Sequence, residues 1–261
     1  MDNYSMEEKT IENIQIGDPE QETTLEERVD KLTGDFFGRG KKAELHKGDP
    51  DYWKTYGSSI EDYDKSFRAV LEGGHIVDLV RDSNEPVVVD LMSSTEAIAS
   101  LFGQLSQSNK LGIAVSSEDD RLPDKKRRDD QMGIKHVPGD LSQPASWKTL
   151  KETLGGRKAN LILERGGMGV QSLPFNENFY GYVFNRLWEI VSEDGGTILI
   201  QGSTTHALEQ TGIRVKEWVD LLKSNGVDVV LDVGEDDFGF DYTTLKIVKT
   251  PESPKKLPLL R

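Results

Sequence analysis

The chain has 261 residues, 35% of them hydrophobic, no cysteine, and a formal net charge of -14. That length suits one α/β domain with extensions better than two full domains. The lack of cysteine excludes disulfides, a thiol nucleophile and cysteine-ligated zinc. No apolar run approaches the ~20 residues of a membrane span, and an acidic chain repels phosphate backbones, which disfavours nucleic acid as a partner.

Residues 1–34 read as an acidic, flexible tail. The first thirty hold ten carboxylates against Lys9 and Arg28 and have little apolar patterning. They contain no apolar run of the secretory kind, so the cytoplasm is the expected compartment. Residues 35–85 form a second unit. Phe36, Phe37, Tyr52, Trp53, Tyr56 and Tyr63 stand among glycines at 38, 40, 48 and 57. Such a stretch suits either a lid over a site or plain packing against a sheet edge. The spacing of Phe67, Val70, Leu71, Ile76, Val77, Leu79 and Val80 predicts one or two helices over 60–81, broken at Gly73-Gly74.

From residue 86 the chain alternates strand and helix. Val87-Val88-Val89 runs into Asp90. A small polar turn, Ser93-Ser94-Thr95, leads to Ala97, Ile98, Leu101 and Phe102 at helical spacing. That is a buried strand feeding a helix through a tight turn, the opening unit of a nucleotide-binding sheet. Further strands are expected at 111–115, 135–137, 160–164 and 197–201. Helices are expected at 95–105, 145–154, 178–191 and 215–224. Pro144 opens the second of these helices and Gly155-Gly156 closes it. The charged run at 116–131 contains Lys125–Arg128 between Asp124 and Asp129-Asp130, and reads as a solvated helical face. Strands at 228–233 and 243–249 follow one another with no helix between, so they must pair antiparallel. Residues 251–261, with three prolines, read as a tail.

Five strand–helix steps followed by a β-hairpin resemble the class I S-adenosylmethionine-dependent methyltransferases, over residues 86–250. VVVDLMSSTEA stands at the family's first-strand motif, GIAVSSEDD at the second, VPGDL at the third-strand "GD" motif and NLILERGG at the fourth strand. LWEIVSEDGGTILIQ looks like the family's helix, glycine turn and fifth strand. The resemblance implies a Rossmann-like, doubly wound α/β sheet of seven strands, order 3-2-1-4-5-7-6, with strand 7 antiparallel. It implies S-adenosylmethionine as cofactor and transfer of its methyl group to an acceptor that the sequence does not name. It also implies cofactor contacts at Asp90, Met92, Ser93 and Ser94 after the first strand. Ser116 and Glu118 are implied after the second, and Asp140 with the Leu141 amide after the third.

The family's first motif usually reads Asp-X-Gly-X-Gly-X-Gly, and no glycine stands in 91–97 here. The serine hydroxyls can bind the methionine carboxylate or cap the helix at Thr95. Asp140 can contact adenine or cap its own turn. Beyond the fourth strand, Glu164 as base and Arg165 as anion clamp precede Gly166-Gly167-Met168-Gly169; a mutual salt bridge is the other reading. His206 is a further candidate base, or a surface residue. Methyl transfer from a sulfonium is mainly a matter of positioning and water exclusion, so it needs no catalytic motif. The rival reading is a non-catalytic binding protein on the same fold.

Overall fold

The computed structural model describes residues 59–91, 93–116, 119, 121–139, 141, 143–165, 177–203, 207–235 and 241–258. The acidic segment, the whole of the aromatic segment before Ser59, Met92, Glu118, Asp140, the 166–169 loop and His206 lie outside the described residues.

The first described helix, α1 (Ile60–Phe67), starts at a reciprocal cap. The Asp62 amide donates to Ser59 Oγ and the Ser59 amide donates to an Asp62 carboxylate oxygen. It buries Ile60, Tyr63 and Phe67, one apolar stripe at helical spacing. The helical pattern over 60–81 is not one helix. α1 stops at Phe67, the chain turns through Glu72 and Gly73 at positive φ, and a 3-10 turn follows at Ile76–Leu79.

The alternating portion gives β1 (Val87–Leu91), α2 (Glu96–Gly103), β2 (Leu111–Ser116), α3 (Pro123–Gln131), β3 (Ile134–Pro138), α4 (Pro144–Leu154), β4 (Leu161–Arg165), α5 (Glu177–Ile190), β5 (Gly196–Ser203), α6 (Ala207–Ser224), β6 (Asp228–Glu235) and β7 (Asp241–Lys249). The seven strands form one sheet in the order β3-β2-β1-β4-β5-β7-β6. β1 to β5 run parallel, and β7 is antiparallel to both β5 and β6. This is the Rossmann-like arrangement that the resemblance implies. The antiparallel hairpin has a simple cause. Only residues 236–240 join β6 to β7, and a parallel crossover needs about a dozen residues or more.

Strand pleating divides the core between two layers. Val87, Val89, Leu91, Ile113, Val115 and Ile162 pack with α4, α5 and α6 on one face. Val88, Ala114, Leu161, Leu163 and Leu199 pack with α1, the 3-10 turn and α2 on the other. Gly112 lets α2 lie close against β2, since a Cβ there would stand 2.5 Å from Ile98 Cγ2.

Two segments differ from expectation. α6 begins at Ala207 rather than at 215, because its first turns are polar and contain Gly212; one glycine costs about 1 kcal/mol but does not end a helix. The proline-rich end is docked through residue 258. Leu257 is buried, and its amide and carbonyl bond both ends of the Asn185 side-chain amide. The indole N–H groups of Trp188 and Trp218 donate to the carbonyls of Pro254 and Pro258, each at 2.8 Å.

Candidate functional site

β1 lies between β2 and β4, where the strand order reverses, and a ligand crevice in such a sheet opens beyond the strand tips there. Near that tip Asp90 is 0% exposed. It shares the face of Val88, directed to the α1 and α2 layer. From α1, the Tyr63 hydroxyl donates to the Asp90 carboxylate, 3.1 and 3.3 Å from its two oxygens. A buried phenol of this kind needs a partner for its O–H. The Arg165 guanidinium lies 5.1 Å from the centre of the same Tyr63 ring, a cation–π contact. Arg165 is two residues beyond Leu163, which is level with Asp90 in the β1–β4 register, so it faces the same layer.

Burial pushes the Asp90 carboxyl up from 3.8 to about 7, against the opposing effects of the Ser93 and Tyr63 hydroxyls and the Arg165 charge. Tyr63 is pushed well above its ordinary value, first by burial and then by the Asp90 charge. The site therefore holds a carboxyl group that changes charge near neutral pH beneath a tyrosine that does not.

Thr95 does not cap α2 through its side chain. Its hydroxyl donates instead to Asp129 of α3 at 2.6 Å, and Ser94 Oγ accepts from the Glu96 amide at 3.4 Å. Asp129 overturns the reading of the charged run as a wholly solvated face: it is 0% exposed. It also accepts from Arg121 at 3.0 Å and from Arg128 at 2.7 Å. Burial works against its charge, but the hydrogen bonds from Thr95, Arg128 and Arg121 outweigh it and hold its pKa below the ordinary value. Around it, Arg121 pairs with Asp119, and Glu96 pairs with Lys125 and Arg128. An open groove of about 400 Å³, lined by Ser59, Glu96, Ala99, Ser100, Arg128 and Met132, lies between α1, α2 and α3.

At the neighbouring tips, Ser116 Oγ lies 2.7 Å from His136 Nε2, and the Ser116 carbonyl accepts from the Gly139 amide. Gly139 has to be small, since a Cβ there would meet Ser146 Oγ at 2.8 Å. Leu141 is buried and its carbonyl accepts from the Trp147 indole. Glu164 is fully buried and level with Leu91. The pleat directs it to the α4–α6 layer, away from Arg165.

The fold thus brings Asp90, Ser93 and Arg165 together, with Tyr63, and sets Glu164 on the opposite face. In the sequence Tyr63 stands as one aromatic among six. Its signal was the Ile60, Tyr63, Phe67 spacing, which buries a hydroxyl. Arg121, Thr95 and Asp129 gave no such signal, because an acid inside a basic run looks solvated until its partners are known. Among the described residues, no group of three or more His, Asp or Glu is placed to hold a metal ion, and no helix is long and apolar enough to cross a membrane.

No family model matches the chain, and no curated protein matches it. Solved structures do resemble it. The O-methyltransferase from Bacillus cereus in complex with SAH is 11% identical, with a TM-score of 0.45, over 90% of this chain and 94% of that one. A putative rRNA-methylase from Clostridium thermocellum is 10% identical, with a TM-score of 0.45, over 73% and 98%. Precorrin-6y C5,15-methyltransferase from Geobacter metallireducens GS-15 is 13% identical, with a TM-score of 0.40, over 71% and 88%.

Proposed function

We propose that this chain is an S-adenosylmethionine-dependent methyltransferase whose cofactor lies beyond the tips of β1, β2 and β3. One observation carries the reading: β1 stands where the order of a 3-2-1-4-5-7-6 sheet reverses, with a fully buried carboxyl, Asp90, near its tip. The residue types suit the group. Asp90, Met92, Ser93 and Ser94 would take its amino-acid end, with small serines where glycines are usual. Ser116 and Glu118 would take the ribose, and Asp140 with the Leu141 amide the adenine; the side chain of Leu141 is buried and apolar.

When bound, the cofactor supplies an already activated methyl group on its sulfonium. This chain's own residues then have to orient and to exclude water. Tyr63 covers Asp90 from above. Arg165, on the same face, would hold an anionic part of the acceptor. Of the two candidates on β4, Arg165 is the one that shares a layer with Asp90 and Tyr63, whereas Glu164 points to the opposite layer.

Calorimetry with S-adenosylhomocysteine tests this. Binding that Asp140→Ala abolishes supports the reading, and neither heat nor thermal shift with the wild-type chain refutes it. Acceptors should then be screened with labelled methyl donor. Of the net charge of -14, residues 1–30 carry -8, so net charge does not exclude a nucleic acid as acceptor. The screen therefore includes small RNAs beside phenols, carboxylates and amines.

A further inference from the structure

The turn after β1 lacks the glycines that would let a backbone settle closely around a ligand. Something else has to fix its shape. We propose that Thr95, Arg121 and Asp129 form a clamp that locks the β1–α2 turn to the β2–α3 link and so presets the two loops flanking the cofactor cleft. This rests on the methyltransferase reading for its ligand, but not for its geometry.

The clamp converges on one oxygen. Asp129 Oδ2 accepts from Thr95 Oγ1 at 2.6 Å and from Arg121 Nη1 at 3.0 Å. Thr95 is the last residue of the β1–α2 turn, and Arg121 stands in the link that leaves β2. Two segments 26 residues apart in sequence are thereby held by one fully buried carboxylate. The other oxygen, Oδ1, accepts from Arg128 Nε and Nη2 at 3.1 and 2.7 Å. Arg128 also reaches Glu96 at the start of α2, at 3.0 Å. Arg121 is held in turn by Asp119, with Nε and Nη2 at 2.8 and 3.2 Å from its two oxygens. Hydrogen bonds to an ionised carboxylate are the strong kind, shorter and more directional than neutral ones.

A threonine at a helix N-cap ordinarily satisfies a backbone N–H of the first turn. Here the cap conformation is αR (φ -75°, ψ -1°) and the hydroxyl makes no such bond. It is committed to Asp129 instead, which gives α2 a weaker start and the turn a fixed exit. That exchange makes sense if the geometry of the turn matters more than the local stability of the helix. Thr95 and Arg121 are therefore positioning residues: they act through the loops and touch no ligand themselves.

Three variants test the clamp: Thr95→Val, which keeps shape and removes the donor, Thr95→Ser, which keeps the donor, and Arg121→Gln. Hydrogen exchange on the ligand-free full chain comes first. Thr95→Val and Arg121→Gln should speed exchange in peptides spanning 93–96 and 119–122, and Thr95→Ser should not. Affinity for S-adenosylhomocysteine comes second. It should fall roughly tenfold in Thr95→Val and Arg121→Gln, the effect of one lost hydrogen bond to a charged group, and recover in Thr95→Ser. Val219→Ala, a core change in the opposite layer, is the control for general destabilisation and should leave affinity unchanged. Unchanged exchange in both loops overturns the clamp whatever the ligand does. Faster exchange with unchanged affinity overturns its role in presetting the cleft. If the wild-type chain does not bind S-adenosylhomocysteine, the methyltransferase reading fails, and the exchange experiment still decides the clamp.

Discussion

Replacing Asp90 with asparagine should stabilise the protein at pH 8 while doing little for it at pH 4. The folded chain raises this carboxyl from 3.8 to about 7. Between those values the folded state keeps a proton that the unfolded chain has lost, so stability falls as pH rises through the window. The loss is complete above pH 7 and absent below about pH 4. Each pH unit is worth 1.36 kcal/mol, so the full penalty is about 4 kcal/mol. Because Asp90 is fully buried, solvent screening does not reduce it. Asparagine carries no charge at any pH and can still accept from the Tyr63 hydroxyl. Any mismatch of its amide with Ser93 shifts the variant's whole profile without tilting it. The carboxylates whose pKa values are lowered, Glu61, Asp62, Glu96, Asp119, Asp129 and Glu189, act the other way and lose stability as pH falls. They are common to both proteins and cancel in the comparison. Urea melts at half-unit steps from pH 4 to 8.5 should show the variant gaining about 4 kcal/mol on the wild type across the range. In thermal melts this is a gain of roughly 10 °C for a domain of this size. Two parallel profiles would refute the argument, since they would mean that Asp90 titrates alike in the folded and unfolded chains.

Tyr63→Phe keeps the ring under Arg165 but removes the donor to Asp90; urea denaturation should show a loss of about 1–2 kcal/mol. Gly139→Ala puts a Cβ 2.8 Å from Ser146 Oγ and 2.9 Å from Ser146 Cβ. It should cost about 1–3 kcal/mol, and Ser146→Gly in the same chain should restore most of it in a double-mutant cycle. Deleting residues 251–261 strips Leu257 from the core and the carbonyl partners from Trp188 and Trp218. The melting temperature should fall by an amount equivalent to at least about 3 kcal/mol. A truncated chain that melts with the full one would show the docked end to be dispensable.

The strand–helix rhythm is legible because the inner parallel strands are buried on both faces and read as short apolar runs, whereas the edge strand β3 is buried only at Ile134 and Val137. Val87–Leu91 is buried at every position. The hairpin was legible from length alone, since no helix fits between β6 and β7. Features set by tertiary partners were not. Val215 marks where the apolar pattern of α6 starts, but the helix begins eight residues earlier, at Ala207. Three prolines read as a tail, yet Leu257 is buried and its amide donates to Asn185 Oδ1, a partner 72 residues away in sequence. Asp129 was hidden in KKRRDD because local sequence cannot tell a carboxylate facing water from one facing Thr95 and Arg121. Glu164 and Arg165 are adjacent in sequence, but adjacent strand residues point to opposite faces, which the linear pattern does not display. That Arg165 shares a face with Asp90 follows only from the β1–β4 register.

Both ends of the first-strand turn are held by side chains from elsewhere in the chain. At one end Tyr63 of α1 bonds Asp90; at the other Asp129 of α3 bonds Thr95. A glycine-rich turn gains its close approach to a ligand by giving up side chains, and loses conformational entropy when it orders. The turn here has serines and a threonine, loses less entropy per residue, and takes its shape from two buried acids. The acids are not equivalent. Asp129 is held charged by two arginines, whereas Asp90, with a hydroxyl partner and a stacked arginine, titrates near neutral pH. The Asp129 end should therefore be fixed across the physiological range. The Asp90 end should respond to whatever charge arrives beside it. A cationic ligand lowers the pKa of such a carboxyl and expels its proton, whereas a neutral one does not. On the methyltransferase reading, the positively charged donor and its neutral-sulfur product would then differ in proton release on binding, and so in the pH dependence of their affinities.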